Sequence, residues 1–257
     1  MLTLYCTLLG LIIGSFANVC VYRIPRGESV ALPGSHCPRC HHEVAWYDNI
    51  PLLSWIILRG ACRNCHGTIS WRYPALEALV GISWGGLAWY IGSPSLLLGE
   101  GLLLFTILWI LTWIDIETML LPDILTLPGI IVGIGLSSFD GSFLHGHWLD
   151  ALIGSAAGYL FFWGVARIFL LATGREGMGY GDFKLLAMLG AFMGWQSLLF
   201  IIFTSSIIGA VAGSLSLLMA RKDISAQIPF GPYLAVAGMI WFLWHRPLLE
   251  GYLQWAH

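Results

Sequence analysis

Long apolar stretches alternate with short polar ones along the 257-residue chain. A helix needs about 20 predominantly apolar residues to cross a bilayer. The pattern therefore predicts an all-α membrane protein with about eight transmembrane helices. The predicted spans are residues 2–22, 75–91, 101–119, 122–138 and 150–172, two within 185–220 that separate at 194–197, and 229–244.

Composition supports a membrane protein. Hydrophobic residues make up 58% of the chain and charged residues only 10%, whereas a soluble domain carries about 25% charged residues. The net charge of −2 gives no support for nucleic-acid binding. The first apolar run lacks a basic leader region and a small-residue cleavage site, so we expect a retained helix that contacts the lipid bilayer.

The basic residues predict the orientation in the membrane. With the predicted spans, eleven of the 12 Lys and Arg residues fall on one side and only Arg246 on the other. The positive-inside rule places that richer side in the cytoplasm. An even number of spans then puts both termini outside. Residues 247–257 are expected to form a short external tail.

Four cysteines in the one large polar segment, residues 23–74, form two C-x2-C pairs separated by 21 residues. Two such pairs surround one zinc ion tetrahedrally. The segment is too short and polar to build much core, so a metal would supply its folding energy. We expect a small cytoplasmic zinc module with structural zinc. The ligands would be Cys37, Cys40, Cys62 and Cys65.

Two other interpretations of these thiols stay open, disulfides and redox cysteines, although a cytoplasmic location disfavours disulfides. Cys6 and Cys20 lie in the first apolar run, where cysteine is a small buried side chain. The flanking histidines are expected to be solvated or to support the ligands. They are His36, His41, His42 and His66.

A glycine-rich interruption at residues 177–184 separates two apolar runs and ends in Asp182. An ionisable residue at membrane depth is costly and usually functional, so Asp182 needs a partner. Three acids compete on the same predicted face. Glu117 lies nearer the exit, Asp123 suits a helix cap after Pro122, and Asp115 lies deepest, with no such local role. We therefore expect the pair Asp115 and Asp182.

Two neighbouring carboxylates share a proton, so one acts as base and the other as acid. Such a pair can activate water for peptide hydrolysis. Asp182 begins a predicted helix, which favours its charged form and makes it the expected resting base. Two alternatives stay open: both acids are helix caps, or they relay protons or cations as in transporters. The relay leaves the cysteine module unexplained.

Together, the motifs resemble the bacterial type 4 prepilin leader peptidases, which are bifunctional aspartic peptidases and N-methyltransferases. The shared motifs run in order over nearly the whole chain. They are Gly14-Ser15-Phe16-Ala17-Asn18-Val19, Tyr22-Arg23-Ile24-Pro25, the two cysteine pairs around Asp48-Asn49-Ile50-Pro51, Arg72-Tyr73-Pro74 with Glu77, Asp115 to Leu121-Pro122-Asp123, and Gly179-Tyr180-Gly181-Asp182.

The resemblance implies an intramembrane peptidase of the GxGD type with Asp115 and Asp182 as catalytic residues. It implies cleavage after the glycine that ends the basic leader of a prepilin or pseudopilin, at the inner membrane. Methylation of the new N-terminus with S-adenosylmethionine would follow, in support of pilus assembly or type II secretion. Residues 75–246 would form the bundle that carries the peptidase site.

Two further expectations concern ligands. Several acids near the cytoplasmic face are possible contacts for a basic leader. They are Glu28, Glu43, Asp48, Glu77, Glu117, Asp123 and Glu176. Since the chain has no glycine-rich cofactor loop of the dinucleotide-binding type, we expect the methyl donor in the cytoplasmic segment, around residues 48–51, where aromatic residues suit either surface packing or a binding groove.

Overall fold

The structure is a computed structural model that describes residues 1–175, 177–220 and 229–255. Among these residues, regular structure consists of helices and two isolated β-bridges. The chain divides into two compact units, Met1–Ile114 and Asp115–His257, called unit 1 and unit 2 below. The basic residues Arg221 and Lys222 and the acid Glu176 lie outside the described residues.

The prediction of an all-helical protein is confirmed, and a helix overlaps each predicted span. The helices are α1 Leu2–Arg23, α2 Leu53–Ile57, α3 Arg72–Ile91, α4 Leu96–Thr118, α5 Asp123–Ser137, α6 Trp148–Thr173, α7 Tyr180–Met193, α8 Gln196–Ala220 and α9 Gly231–Trp255. The predicted break within residues 185–220 falls at residues 194–195. α9 has non-helical backbone angles at Trp244 and continues to Trp255, beyond the predicted end of the last span.

Four helices among the described residues are long and apolar enough to cross a membrane. They are Leu2–Arg26, Leu96–Thr118, Trp148–Thr173 and Gln196–Leu215. α5, Asp123–Ser137, is a shorter apolar helix. The other predicted crossings stay predictions.

Unit 1 is organised around close packing of α1 on α3. Glycine makes this possible: a Cβ atom on Gly14 would lie 2.7 Å from the Cα atom of Glu77, and one on Gly10 would lie 2.8 Å from the Cβ atom of Trp84. Small residues one turn apart let two membrane helices approach along their backbones. The polar segment between these helices holds α2, two short 3-10 helices and the cysteines.

Unit 2 is organised around α7. Phe183 and all nine residues 185–193 are buried, although the helix has only 14 residues. α7 packs against α5 and α6. It approaches α6 so closely that a Cβ atom on Gly154 would lie 2.5 Å from the carbonyl oxygen of Gly190. This enclosed helix carries Asp182 in its first turn, so packing along its whole length fixes the position of that residue.

Candidate functional site

Asp182 is the third residue of α7, and Gly179 precedes the helix in an extended conformation. Two glycines around it permit close approaches. A Cβ atom on Gly181 would lie 2.7 Å from the Cβ atom of Leu121, and one on Gly177 would lie 2.5 Å from the ring of Phe169. Any larger side chain at either position would push these segments apart. The glycines therefore have a packing role around Asp182.

Asp115 lies in the last turn of α4 and is only 5% exposed. Its Oδ2 atom accepts a hydrogen bond from the backbone N–H of Gly231 at 2.9 Å. Gly231 is the first residue of α9. The N-terminus of a helix carries partial positive charge and unpaired N–H groups, so it stabilises a carboxylate. A helix N-terminus therefore favours the charged form of Asp115 as well as that of Asp182.

Unit 2 brings the segments that carry Asp115 and Asp182 together at Leu121. A Cβ atom on Gly231, the partner of Asp115, would lie 3.3 Å from the Cδ2 atom of Leu121, and one on Gly181, beside Asp182, would lie 2.7 Å from its Cβ atom. The competing acid Asp123 is engaged elsewhere. Its Oδ1 atom lies 2.5 Å from the Nζ atom of Lys184, in an ion pair that links α5 to α7. Glu117 is exposed, in keeping with its predicted place near the end of the membrane span. The pairing of Asp115 with Asp182 as catalytic residues stays a prediction.

Gly231 is the residue of this site that sequence reasoning missed. A Cβ atom there would lie 2.7 Å from the Oδ2 atom of Asp115, so the hydrogen bond needs glycine. The available signal was weak. Gly231 and Pro232 open a predicted span, and proline favours the first turn of a helix, but nothing in that pattern points to a carboxylate 116 positions earlier.

The four predicted zinc ligands form one cluster in unit 1. Their sulfur atoms all lie within 4.8 Å of one another, and Cys37 and Cys65 are 3.8 Å apart. A zinc ion with Zn–S bonds of about 2.3 Å requires sulfur–sulfur separations of about 3.8 Å. The cysteines are free thiols. The cluster therefore fits structural zinc, and a disulfide pairing of these cysteines does not describe it.

Each cysteine pair forms the same tight turn. The N–H of His41 bonds the carbonyl of Cys37, and the N–H of His66 bonds that of Cys62, both at 2.9 Å. His41 and His66 have positive φ angles of 56° and 54°. These turns direct N–H groups at the sulfurs: the N–H of His42 lowers the pKa of the Cys40 thiol to about 6. Thiolates are the form that binds zinc.

A cavity of about 540 Å³ lies in unit 1 beside this cluster. Its lining includes residues 48–50, the segment expected near the methyl donor. Hydrogen bonds fix the conformation of that segment. Arg63 donates two hydrogen bonds to the Asp48 carboxylate, at 2.6 and 2.8 Å, and lowers the pKa of that carboxyl. The buried Ser54 hydroxyl bonds the Tyr47 carbonyl and accepts the N–H of Ile50.

Three acids considered as leader contacts have partners inside the protein. Asp48 binds Arg63 and Asp123 binds Lys184. Glu77 is buried and accepts the N–H of Leu52 at 2.8 Å. A basic leader would have to compete for these carboxylates, which makes them weaker candidates than the sequence suggested.

Known proteins resemble the chain along nearly its whole length. The profile of the Bacterial Peptidase A24 N-terminal domain matches residues 8–91. That of the Type IV leader peptidase family matches residues 102–214. A protein of Stutzerimonas stutzeri named prepilin leader peptidase/N-methyltransferase is 43% identical over 96% of this chain and 92% of its own length.

A Pseudomonas aeruginosa protein of the same name is 42% identical over 98% of this chain and 93% of its own length. A third, from Dickeya chrysanthemi, is 42% identical over 90% of this chain and 88% of its own. No solved structure shows significant similarity to the chain.

Proposed function

The chain belongs to the type IV leader peptidase family, and on that premise we propose that it cleaves prepilin leaders and methylates the new N-terminus. Its relatives carry a name that includes both activities. The chain covers more than nine-tenths of the length of these relatives. We therefore assign both activities to this chain. The protein is an aspartic endopeptidase and an S-adenosylmethionine-dependent N-methyltransferase. It is a multi-pass protein of the inner membrane.

Asp115 and Asp182 carry out the cleavage. One carboxylate takes a proton from water, and the resulting hydroxide attacks the carbonyl carbon of the leader's last glycine. The other carboxyl gives its proton to the departing amide nitrogen, which leaves as the new N-terminal amine. Two acids whose charges repel share one proton, which equips the pair for both tasks. The Gly231 N–H holds Asp115 in place for them.

The substrates are prepilins of type 4 pili or pseudopilins of type II secretion systems, each with a basic leader joined to a membrane helix. Eight crossings with both termini outside would place Asp115, Asp182 and the zinc module at the cytoplasmic face. The basic residues support that topology. A scissile bond between a cytoplasmic leader and a membrane helix also lies at the cytoplasmic face of the membrane.

Residues 1–22 then form the first transmembrane helix, 23–74 the zinc module, 75–246 the bundle with the peptidase site and 247–257 the external tail. Zinc has a structural role, because four thiolates leave no coordination position open for substrate.

S-adenosylmethionine supplies the methyl group: the amine nitrogen bonds to the methyl carbon as the carbon–sulfur bond breaks, and the nitrogen then loses a proton. The protein has to hold the amine neutral and close to the donor.

One observation supports the peptidase proposal: unit 2 buries Asp115 against the first N–H of α9, and Leu121 lies close both to that residue, Gly231, and to Gly181, the neighbour of Asp182. The test is cleavage of a model prepilin by purified protein, with mass spectrometry of both products. Separate Asp115→Asn and Asp182→Asn variants should each abolish cleavage. Cleavage by either variant at the wild-type rate would overturn the pair.

A cation or proton relay is the competing function. It predicts uptake into sealed vesicles and no cleavage in detergent. Cleavage in detergent, where no gradient exists, would exclude the relay as the role of the aspartates.

A further inference from the structure

The cavity of unit 1 has a polar floor built by helices α1 and α3. Its volume of about 540 Å³ lies within the range of about 300–1,000 Å³ that suits a drug-sized ligand. The floor residues include Asn18 from α1 and Glu77 from α3, and the walls include Tyr47 and Trp55. The second cavity, in unit 2 beside the start of α7, has a volume of only about 50 Å³.

Glu77 brings a buried carboxylate to this floor. It is 7% exposed and accepts a hydrogen bond from the Leu52 N–H at 2.8 Å. This partner carries no charge, and no ion pair of the described residues includes Glu77. Burying a carboxylate without an ion pair is costly. A cationic ligand in the cavity would offset that cost.

Asn18 adds an acceptor with no partner. It is 2% exposed, and its Nδ2 group donates to the carbonyls of Gly14 and Tyr73 at 3.3 and 3.0 Å. These two bonds fix the direction of the amide. Its buried Oδ1 atom has no hydrogen-bond partner within the described residues. An unpaired buried acceptor costs about 1–3 kcal/mol, so a donor from a ligand would stabilise the site.

The wall offers flat aromatic surface. Trp55 donates its Nε1–H to the carbonyl of Ile69 at 3.2 Å, which fixes the plane of its ring. The same ring lies against Gly60, where a Cβ atom would approach it to 2.9 Å. Aromatic faces attract cations and stack on planar bases. The cavity thus combines the Glu77 carboxylate and an unpaired acceptor with an aromatic wall, and three arginines also line it, Arg23, Arg39 and Arg63.

We propose that this cavity is the methyl-donor site, and that Glu77 and the Oδ1 atom of Asn18 bind the cationic groups of S-adenosylmethionine. The ligand carries a sulfonium and an ammonium group together with a planar adenine, which matches the floor and the wall. This inference rests on the proposed methyl transfer. It moves the expected centre of the site from residues 48–51 to the two helices beneath them.

The test is equilibrium binding of S-adenosylmethionine to the full chain in detergent, compared with sinefungin and S-adenosylhomocysteine. Glu77→Gln should weaken S-adenosylmethionine binding about 10- to 100-fold, the range of a hydrogen bond to a charged group. Asn18→Leu should weaken it about 3- to 10-fold. Asp140→Asn, the same acid-to-amide change at an exposed position of unit 2, should leave it unchanged.

S-adenosylhomocysteine, which lacks the sulfonium charge, shows which cationic group Glu77 binds. If Glu77→Gln weakens S-adenosylmethionine but not S-adenosylhomocysteine, Glu77 binds the sulfonium; if it weakens both, Glu77 binds the ammonium. Affinity for S-adenosylmethionine within twofold of wild type in both Glu77→Gln and Asn18→Leu would overturn the proposal. Zinc content of each variant reports whether unit 1 is intact.

Because Glu77 also holds Leu52, a second measurement uses the wild-type protein. A photoreactive S-adenosylmethionine analogue should label peptides within residues 15–77, and labelling confined to other peptides would overturn the site. If S-adenosylmethionine binds but labels elsewhere, only this inference fails. If it does not bind at all, the proposed methyl transfer fails with it.

Discussion

Units 1 and 2 both bury carboxylates, but they surround them differently. In unit 1, Glu77 borders a cavity of about 540 Å³ next to an unpaired acceptor. In unit 2, Asp115 is bonded to the first N–H of α9, where even a methyl group on Gly231 would not fit. Unit 1 leaves room for a small molecule beside its carboxylate, whereas unit 2 packs a backbone N–H directly against Asp115. Unit 1 is therefore suited to ligand binding and unit 2 to precise positioning of a carboxylate.

The strongest way to test this contrast is to remove the acids of unit 2. Asp115→Asn and Asp182→Asn should each lower the cleavage rate by at least about 10³-fold, as loss of a member of a catalytic unit does. Methylation of a peptide that is already cleaved should continue, because its site belongs to unit 1. The measurement is mass spectrometry of both substrates. Loss of methylation in parallel with cleavage would contradict the division of roles.

Removing zinc should disrupt unit 1. Structural zinc contributes on the order of 10 kcal/mol to the folding of small modules. Cys40→Ser should therefore lose bound zinc, lose S-adenosylmethionine binding and open residues 23–74 to trypsin. Cys20→Ala is the matched control, since Cys20 is buried in α1 outside the sulfur cluster. Full zinc content in Cys40→Ser would show that the cluster does not need this thiolate.

Gly231→Ala tests positioning in unit 2. The added Cβ atom would lie 2.7 Å from the Oδ2 atom of Asp115, so the carboxylate has to move. A displacement of about 1 Å from the reactive geometry costs about 10²-fold in rate. Cleavage should fall by that factor in kcat while S-adenosylmethionine binding stays unchanged.

Gly135→Ala is the control for this variant, because nothing lies within 4 Å of a Cβ atom at that position. Equal activity of the two alanine variants would refute the role of Gly231.

The smallest effect is expected from the ion pair between Asp123 and Lys184. The Asp123 side chain is 57% exposed, and exposed pairs contribute about 0.2–1 kcal/mol. Asp123→Asn should therefore slow cleavage by less than about fivefold. A double-mutant cycle with Lys184→Met measures the coupling. A loss as large as that of Asp115→Asn would mean that Asp123 belongs to the catalytic pair after all.

Sequence reasoning was most successful where one residue type conflicts with its surroundings. Asp182 stands out because carboxylates are rare in apolar runs, and Asp115 because it lies deeper than Glu117 or Asp123. The cysteines stand out by spacing alone. Glu77 was expected only as a possible leader contact, because a glutamate near the start of a span resembles a solvated acid. Its bond to the Leu52 N–H depends on a loop that folds back onto α3.

The helices and the cysteine cluster follow from the sequence alone, because apolar length and ligand spacing are local properties of a chain. The catalytic role of the two aspartates stays a prediction. Folding was needed to show that Gly231 bonds Asp115, that Asp123 pairs with Lys184, and that Asn18 and Glu77 line one cavity. The two residues of each pair lie 59 to 116 positions apart in the chain. Such partners are selected by packing of helices at glycines, which no local pattern specifies.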